Sequence, residues 1–220
     1  MNQFRQFEIC CDASIKTFPN GRTFGCAGAI LIGENKESFQ IIPDCTNNKA
    51  ELMAMYLAVK MAHELTMLYG KCDITIYADS KITVYGLKVW MDDWLKSMDE
   101  RGVMYNYENK PVKNQHLYLM IISYIIINNL RIKIRHQKGH VKLTPGKLSM
   151  ANRVFYESNG YYLDQDSIYR ISLYNSIIDK DTRNLLQNVN TNDYPYRKEE
   201  TDLAMMCRYT IPDDYKKYIL

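Results

Sequence analysis

The sequence predicts an α/β fold, a five-stranded mixed sheet flanked by helices, and three observations carry that reading. Short apolar runs separated by Gly and Asn signals fill the first 43 residues, the pattern of strands joined by tight turns. Longer segments that follow repeat apolar residues at helical spacing. Strand-like runs recur between those segments, at CDITIYAD and RIKIRH, and strands that alternate with helices pair in parallel, so the sheet mixes both senses.

Residues 7–12, 25–33 and 38–43 read as three short strands in an antiparallel meander. NNKAELMAMYLAVKMAHEL follows as a helix whose Leu52, Met55, Tyr56, Val59 and Ala62 share one face and pack on the sheet. CDITIYAD is the next strand and ends at Asp79. A helix then runs from Ser80 to about Lys96, a loop extends to Asn114, and a second helix covers residues 115–128. RIKIRH is the last strand, and its alternation puts Arg131, Lys133 and Arg135 on one side. After Pro145 and Gly146, LSMANRVFYESNG reads as a short helix, and residues 167–187 as a clearer one through Ile168, Ile171, Tyr174 and Ile178. Beyond Asn188 the chain is polar and tyrosine-rich, with Pro195 and Pro212, and carries no chemical signal.

A chain of 220 residues with 46% hydrophobic content suits one domain with a sizeable core. The opening MNQFRQFEIC lacks the apolar stretch of a secretory signal, and the longest apolar run, LYLMIISYIII, is too short to span a bilayer. These features predict a soluble cytoplasmic protein with no membrane partner, and a monomer is expected. Six cysteines, Cys10, Cys11, Cys26, Cys45, Cys72 and Cys207, form no CxxC pair and read as buried reduced thiols rather than disulfides or a zinc site. The net charge of +3 says little about nucleic acid, but its distribution says more. From Arg131 to Lys147 there are six Lys or Arg and no acid, with His136 and His140 among them. Such a strip matches a phosphate backbone. The strand cations can equally face solvent, so Lys138 and Lys142, on the loop side, are the expected phosphate contacts.

Three carboxylates stand where element ends can aim them at one point. Asp12 closes the run FEICCD, Glu51 opens the first helix, and Asp79 closes CDITIYAD just before Ser80. Strand ends and helix starts face the same edge of an α/β layer. Converging carboxylates repel and raise each other's pKa unless cations neutralise them, so the group reads as a divalent-metal site and the chain as a metal-dependent nuclease. Oxygen-only ligation favours Mg²⁺ or Mn²⁺ over zinc. Taken singly, each residue also has a structural use: Asp12 in a turn, Asp79 with Ser80 as a helix cap, and Asn48 with Glu51 at capping-box spacing.

With these strings the chain resembles type I ribonuclease H, a family that cuts the RNA strand of an RNA/DNA hybrid. The matching pieces run in family order: EICCDAS with GCAGAILI, then TNNKAELMA, ITIYADS, KVWMDDWLKS, NKPVKN and RIKIRHQKGH, spanning roughly residues 7–140. The resemblance implies the ribonuclease H-like fold and hydrolysis with two Mg²⁺ ions, for which Mn²⁺ can substitute. Products would carry 5′-phosphate and 3′-hydroxyl ends. It places His140, on a loop after Gly139, in proton transfer or product release, and leaves His136 a structural role. Asn47 and Asn48 would approach the minor groove, and Thr46 and Asn114 would cradle a phosphate of the DNA strand. Trp90 and Trp94 match the substrate handle, where an indole lies against a deoxyribose, although core packing accounts for them equally.

Two departures stand out. The family's fourth carboxylate follows an Asn by one turn soon after the KGH histidine, whereas here Asn152 has no Asp near it. Asn175 and Asp179, in NSIIDKDTR, supply the N-x-x-x-D spacing further on. Asp179 is therefore the expected fourth ligand, about 141–174 contains an insertion, 1–187 forms the catalytic domain, and 188–220 is an extension of unassigned role. The handle region, Lys81 to His116, holds six Lys or Arg against five Asp or Glu, so hybrid grip is expected to shift toward the strip after Arg131. Two other readings remain: a DNA nuclease of resolvase or integrase type on the same fold, and a non-catalytic hybrid-binding module, which Asn152 as the fourth position would favour.

Overall fold

The computed structural model describes residues 4–194, 211–212 and 215–219. Its elements are β1 (Arg5–Thr17), β2 (Thr23–Leu31), β3 (Glu37–Ile42), α1 (Asn47–Tyr69), β4 (Cys72–Ala78) and α2 (Lys81–Tyr85). A π-helical turn (Gly86–Trp90) joins α2 to α3 (Met91–Lys96), and α4 (Gln115–Ile127), β5 (Ile132–His136), α5 (Pro145–Asn159) and α6 (Gln165–Gln187) follow. The sheet order is β3-β2-β1-β4-β5. β1, β2 and β3 pair antiparallel, while β4 pairs parallel with both β1 and β5. The five-stranded mixed sheet expected from the sequence is present.

Helices cover both faces, which is why β1 is buried almost without alternation through its middle. Ile9, Cys11 and Ala13 join the main core with α1 and α4, including Leu52, Met55, Val59, Ala62, Ile121 and Ile125. Cys10 turns the other way, toward Ile178 of α6. Gly28 of β2 makes that second layer close: a Cβ there would sit 2.7 Å from the Phe39 ring and 3.0 Å from Ile178. Ser14 and Thr182 share a hydrogen bond of 2.9 Å across the same seam. α6 is therefore pinned to β1 along the stretch that holds Asp12.

Three local expectations change. Asp12 does not close its strand, which runs on to Thr17. Pairing with β4 stops at Cys11, opposite Ala78, but pairing with β2 continues to Thr17 opposite Thr23. Asp12 is thus the first residue past the end of the parallel ladder, level with Asp79, which follows Ala78. The cap of α1 is Thr46, whose hydroxyl accepts from Lys49 N at 3.4 Å, so Asn48 and Glu51 form no capping box and the Glu51 carboxylate is not used as a cap. Finally, α6 starts at Gln165, so residues 165–174, assigned above to the insertion, are the opening turns of the helix that carries Asp179.

The segment from 145 folds as α5, with Pro145 in its first turn and Gly160, at φ +85°, ending it. Cys10, Cys11, Cys26, Cys45 and Cys72 are buried and form no disulfide among the described residues; Cys207 and Pro195 lie outside the described residues. Part of the expected extension packs on the domain. Tyr215 is buried and its hydroxyl donates to Asp92 Oδ1 at 2.6 Å, while Ile219 bridges in parallel to Ile132. Among the described residues no helix is long and apolar enough to cross a membrane.

Candidate active site

Asp12, Glu51 and Asp79 each offer one carboxylate oxygen, and these oxygens all lie within 4.8 Å of one another. The three come from a strand interior, a helix's second turn and a strand end, brought together where β4 stops and α1 starts. Asp12 and Glu51 are buried and Asp79 is nearly so. Burial pushes the Asp12 pKa well up, and the charges of Asp79 and Glu51 push it the same way. Burial raises Glu51 to about 8, with Asp79 and then Asp179 adding to it. Asp79 is raised as well, chiefly by burial, against the lowering effect of His140 and of a hydrogen bond from Asn175.

Around this group the second layer supplies specific contacts. Asn175 Nδ2 donates to Asp12 Oδ2 at 3.1 Å, and Ala13 N donates to Asp12 Oδ1 at 2.7 Å. The Asn175 Oδ1 atom is buried and has no partner. Asp179, one turn after Asn175, stands outside the tight group of three, although its charge raises the pKa of all of them. Its Oδ2 is turned toward Arg183 Nη2, at 2.5 Å, and His140 Nδ1, at 3.3 Å. His140 is an exposed residue in the left-handed region, at φ +51°, which few residues other than glycine adopt and which His, like Asn and Asp, adopts more readily than most. Next to it, a Cβ on Gly139 would fall 2.0 Å from Asp79 Oδ2, so only glycine leaves that carboxylate where it is. His136 is a structural residue: Nε2 meets the Asp79 carbonyl at 3.2 Å and Nδ1 meets Ser158 Oγ at 2.9 Å.

Asn152, the alternative fourth position, is occupied elsewhere. Its side chain donates to Leu163 O at 2.7 Å and accepts from Leu163 N at 3.0 Å, tying α5 to the following loop. A cavity of about 230 Å³ lies beside the carboxylates' helix α1. Asn48, Trp90, Trp94 and Asn114 all line it, together with Lys110 and Lys113. The two tryptophans divide their roles: Trp94 is buried and packs edge-on against Tyr118, whereas Trp90 is exposed at the rim. Thr46 and Asn47 are exposed at the start of α1 and are not part of the lining. Lys138 is half-buried and Lys142 exposed. Among the strand cations, Arg131 is tied to Asp73 at 2.8 Å and Arg135 to Tyr161 at 3.3 Å.

Sequence reasoning missed two of these residues. Arg183 carries a signal in hindsight, since Asp179 and Arg183 have the i,i+4 spacing of a helical ion pair. Gly139 carried none, because its requirement comes from a side chain 60 residues away in the chain, Asp79.

The raised acids make stability depend on pH. A carboxyl whose folded pKa exceeds its unfolded value keeps extra protons in the folded state, so its contribution is full below about pH 4 and is lost as pH rises toward the folded value. For Glu51 that window ends near pH 8. In chelator-treated protein the melting temperature should therefore fall between pH 5 and 8, and Glu51→Gln should flatten the fall. A loss of about 1 kcal/mol corresponds to roughly 2–4 °C for a chain of this size. Calorimetry across that range tests it, and identical slopes for wild type and Glu51→Gln would contradict the burial assigned to this carboxyl.

Comparison with known proteins agrees with the geometry. The sequence matches the RNase H family over residues 5–153. It is 32% identical over 117 residues to the ribonuclease H of Prosthecochloris aestuarii, covering 53% of this chain and 72% of that protein. It is 36% identical over 115 residues to the ribonuclease H of Francisella tularensis subsp. novicida, covering 51% and 67%. Among solved structures, a foamy viral protease–reverse transcriptase in complex with dsDNA superposes with a TM-score of 0.50 at 18% identity, covering 70% of this chain and 95% of that one. That likeness concerns the fold, whereas the family match and the curated relatives concern lineage. A close group of largely buried carboxylates, a ribonuclease H-like sheet and two sequence relatives of that name converge, and the chain belongs to the RNase H family of nucleases.

Proposed function

We propose that the protein hydrolyses the RNA strand of RNA/DNA hybrids with two divalent cations, Mg²⁺ or in its place Mn²⁺, leaving 5′-phosphate and 3′-hydroxyl ends. The observation that carries this reading is the buried Asp12–Glu51–Asp79 group, whose oxygens lie within 4.8 Å of one another. Three carboxylates crowded in a low-dielectric site fit hard cations, because among the described residues no Lys or Arg forms an ion pair with any of them. Bound there, the ions would acidify a water for in-line attack on phosphorus and stabilise the departing 3′ oxygen.

The chain's own residues supply the rest. Asn175 fixes the Asp12 carboxylate by its hydrogen bond, and Gly139 leaves room for that of Asp79. Asp179 brings a fourth negative charge to the site, held by Arg183, and His140 is exposed beside it to carry a proton to or from the reacting phosphate. Asn48, Trp90, Trp94 and Asn114 form a cavity suited to the sugar and phosphate of the DNA strand, with Lys110 and Lys113 at its wall. Asn47 would meet the sugar edges and Thr46 a phosphate of the DNA strand, and both are exposed at the same helix start. Recognition by shape, phosphate and the ribose 2′-OH needs no base edges. Lys138 and Lys142 add phosphate contacts. We assign residues 1–187 to the catalytic domain and 188–220 to an extension. Five buried cysteines outside any disulfide among the described residues fit a reducing, cytoplasmic setting.

The test is a substrate panel: labelled hybrid, duplex DNA, duplex RNA and four-way DNA junctions, each with and without Mg²⁺. Cleavage restricted to the RNA of the hybrid, dependent on the metal and leaving 5′-phosphate ends, is expected. Junction cutting would favour a resolvase, and hybrid binding without cleavage in any metal would favour a non-catalytic module.

A further inference from the structure

The extension at the C-terminus lies outside the carboxylate site, yet it is tied to the substrate handle. Tyr215, in a short 3₁₀ turn (Tyr215–Tyr218), is 3% exposed and belongs to the main core together with Met91 and Trp94 of α3 and Leu117 and Ile121 of α4. Its hydroxyl donates to Asp92 Oδ1 of α3 at 2.6 Å. Four residues on, Ile219 bridges in parallel to Ile132 of β5, the last strand in the sheet order. Ile211, Tyr218 and Ile219 pack against the same core. Two anchors four residues apart therefore join the handle helix to the sheet edge.

The contact is more specific than apolar covering requires. Packing alone would be served by phenylalanine, and a buried hydroxyl is costly unless it is bonded. Burial and then the Asp92 bond push the Tyr215 pKa up, so the phenol stays a donor. A hydroxyl given to a carboxylate is among the stronger hydrogen bonds. α3 needs such a hold. It has six residues and follows the π-helical turn Gly86–Trp90, and helices this short keep their place by tertiary contact rather than by propensity. Asp92 stands between Trp90 and Trp94 in the chain, and helical spacing turns it away from both. Tyr215 thus grips the back of the helix whose front carries the tryptophans into the cavity with Asn48 and Asn114.

We propose that the segment at Tyr215–Ile219 is a strap that fixes the handle, with Tyr215 a positioning residue for Trp90 and Trp94 and through them for the DNA strand of the hybrid. The inference rests on the hybrid-nuclease reading above. By holding α3 from behind, the strap removes freedom that binding would otherwise have to freeze, so it acts on substrate affinity and not on the chemical step at the carboxylates.

Tyr215→Phe in the full chain tests the strap, because it deletes the hydroxyl and keeps the ring that fills the core. The chain has two tryptophans and both lie on the handle, so intrinsic fluorescence reports on the handle directly, without nucleic acid. The variant's emission should move to the red and be quenched more strongly by acrylamide than that of wild type. KM for a hybrid should rise about fivefold with kcat unchanged, the signature of lost uniform binding. In a Trp90→Ala background, where the handle contact is already lost, the same substitution should raise KM no further. Emission or KM left as in wild type would overturn the strap, and a lower melting temperature alone would reduce the segment to a stabilising cover. A fall in kcat at constant KM, or an undiminished KM rise in the Trp90→Ala background, would overturn it too. Wild type that cuts no hybrid would sink the nuclease reading, and the emission comparison would then decide alone whether Tyr215 holds α3.

Discussion

Asp79→Asn and Asp12→Asn should each abolish hybrid cleavage while leaving the metal-free protein at least as stable as wild type. The two effects have one cause. Each carboxylate is raised by burial and by its neighbours' charge, so replacing one with a neutral amide of nearly the same shape removes repulsion from the free site and ligand charge from the bound one. A drop of at least a thousandfold in rate, about 4 kcal/mol of transition-state stabilisation, is expected. At pH 8 without metal the variants should melt a few degrees higher, since about 1 kcal/mol moves the midpoint by roughly 2–4 °C. Added Mg²⁺ should stabilise wild type and not the variants, because a cation that binds only the folded state raises stability by mass action. Initial rates and melting curves with and without Mg²⁺ measure all of this. A fully active Asp79→Asn protein would remove Asp79 from the site.

Much of the fold was legible because the chain's patterns are strong and local. The first helix showed its face through Leu52, Met55, Tyr56, Val59 and Ala62; all are buried except Tyr56, which is half-buried against the core. The helix before the handle loop was marked by Ser80, whose hydroxyl does cap it. The convergence of Asp12, Glu51 and Asp79 was legible because strand ends and helix starts share an edge. What stayed hidden depends on partners distant in sequence. β1 passes Asp12 because β2 continues to pair with it, and no local residue records that. Thr46 rather than Asn48 caps α1, a choice between two good caps two residues apart that backbone geometry decides. Trp90 and Trp94 look alike in sequence, yet Tyr118 of α4 draws only one of them into the core. The helix after Pro145 left only a faint pattern because α5 buries only Ala151 and Phe155 fully, giving it a narrow apolar stripe.

Asp179→Asn should lower turnover about tenfold to a thousandfold or raise the Mg²⁺ requirement, while Asn152→Ala should leave both nearly unchanged. Asp179 earns this expectation from its surroundings rather than from spacing alone. Asn175, one turn earlier on α6, reaches Asp12, and the Asp179 charge acts on Asp12, Glu51 and Asp79 alike. Its carboxylate sits on the helix held to β1 through Ser14 and Thr182, so its position is set by packing and not by a loop. It is not part of the group of three whose oxygens lie within 4.8 Å of one another, and Arg183 and His140 compete for its oxygens. A cation on that side would therefore depend strongly on this one charge, and an amide there should weaken it. Asn152 instead makes two hydrogen bonds to Leu163, so its removal should cost about 1–2 kcal/mol of stability and no chemistry. Titrating kcat with Mg²⁺ for both variants decides between them. If Asp179→Asn titrates like wild type and Asn152→Ala shifts the curve, the fourth position belongs to α5 and not to α6.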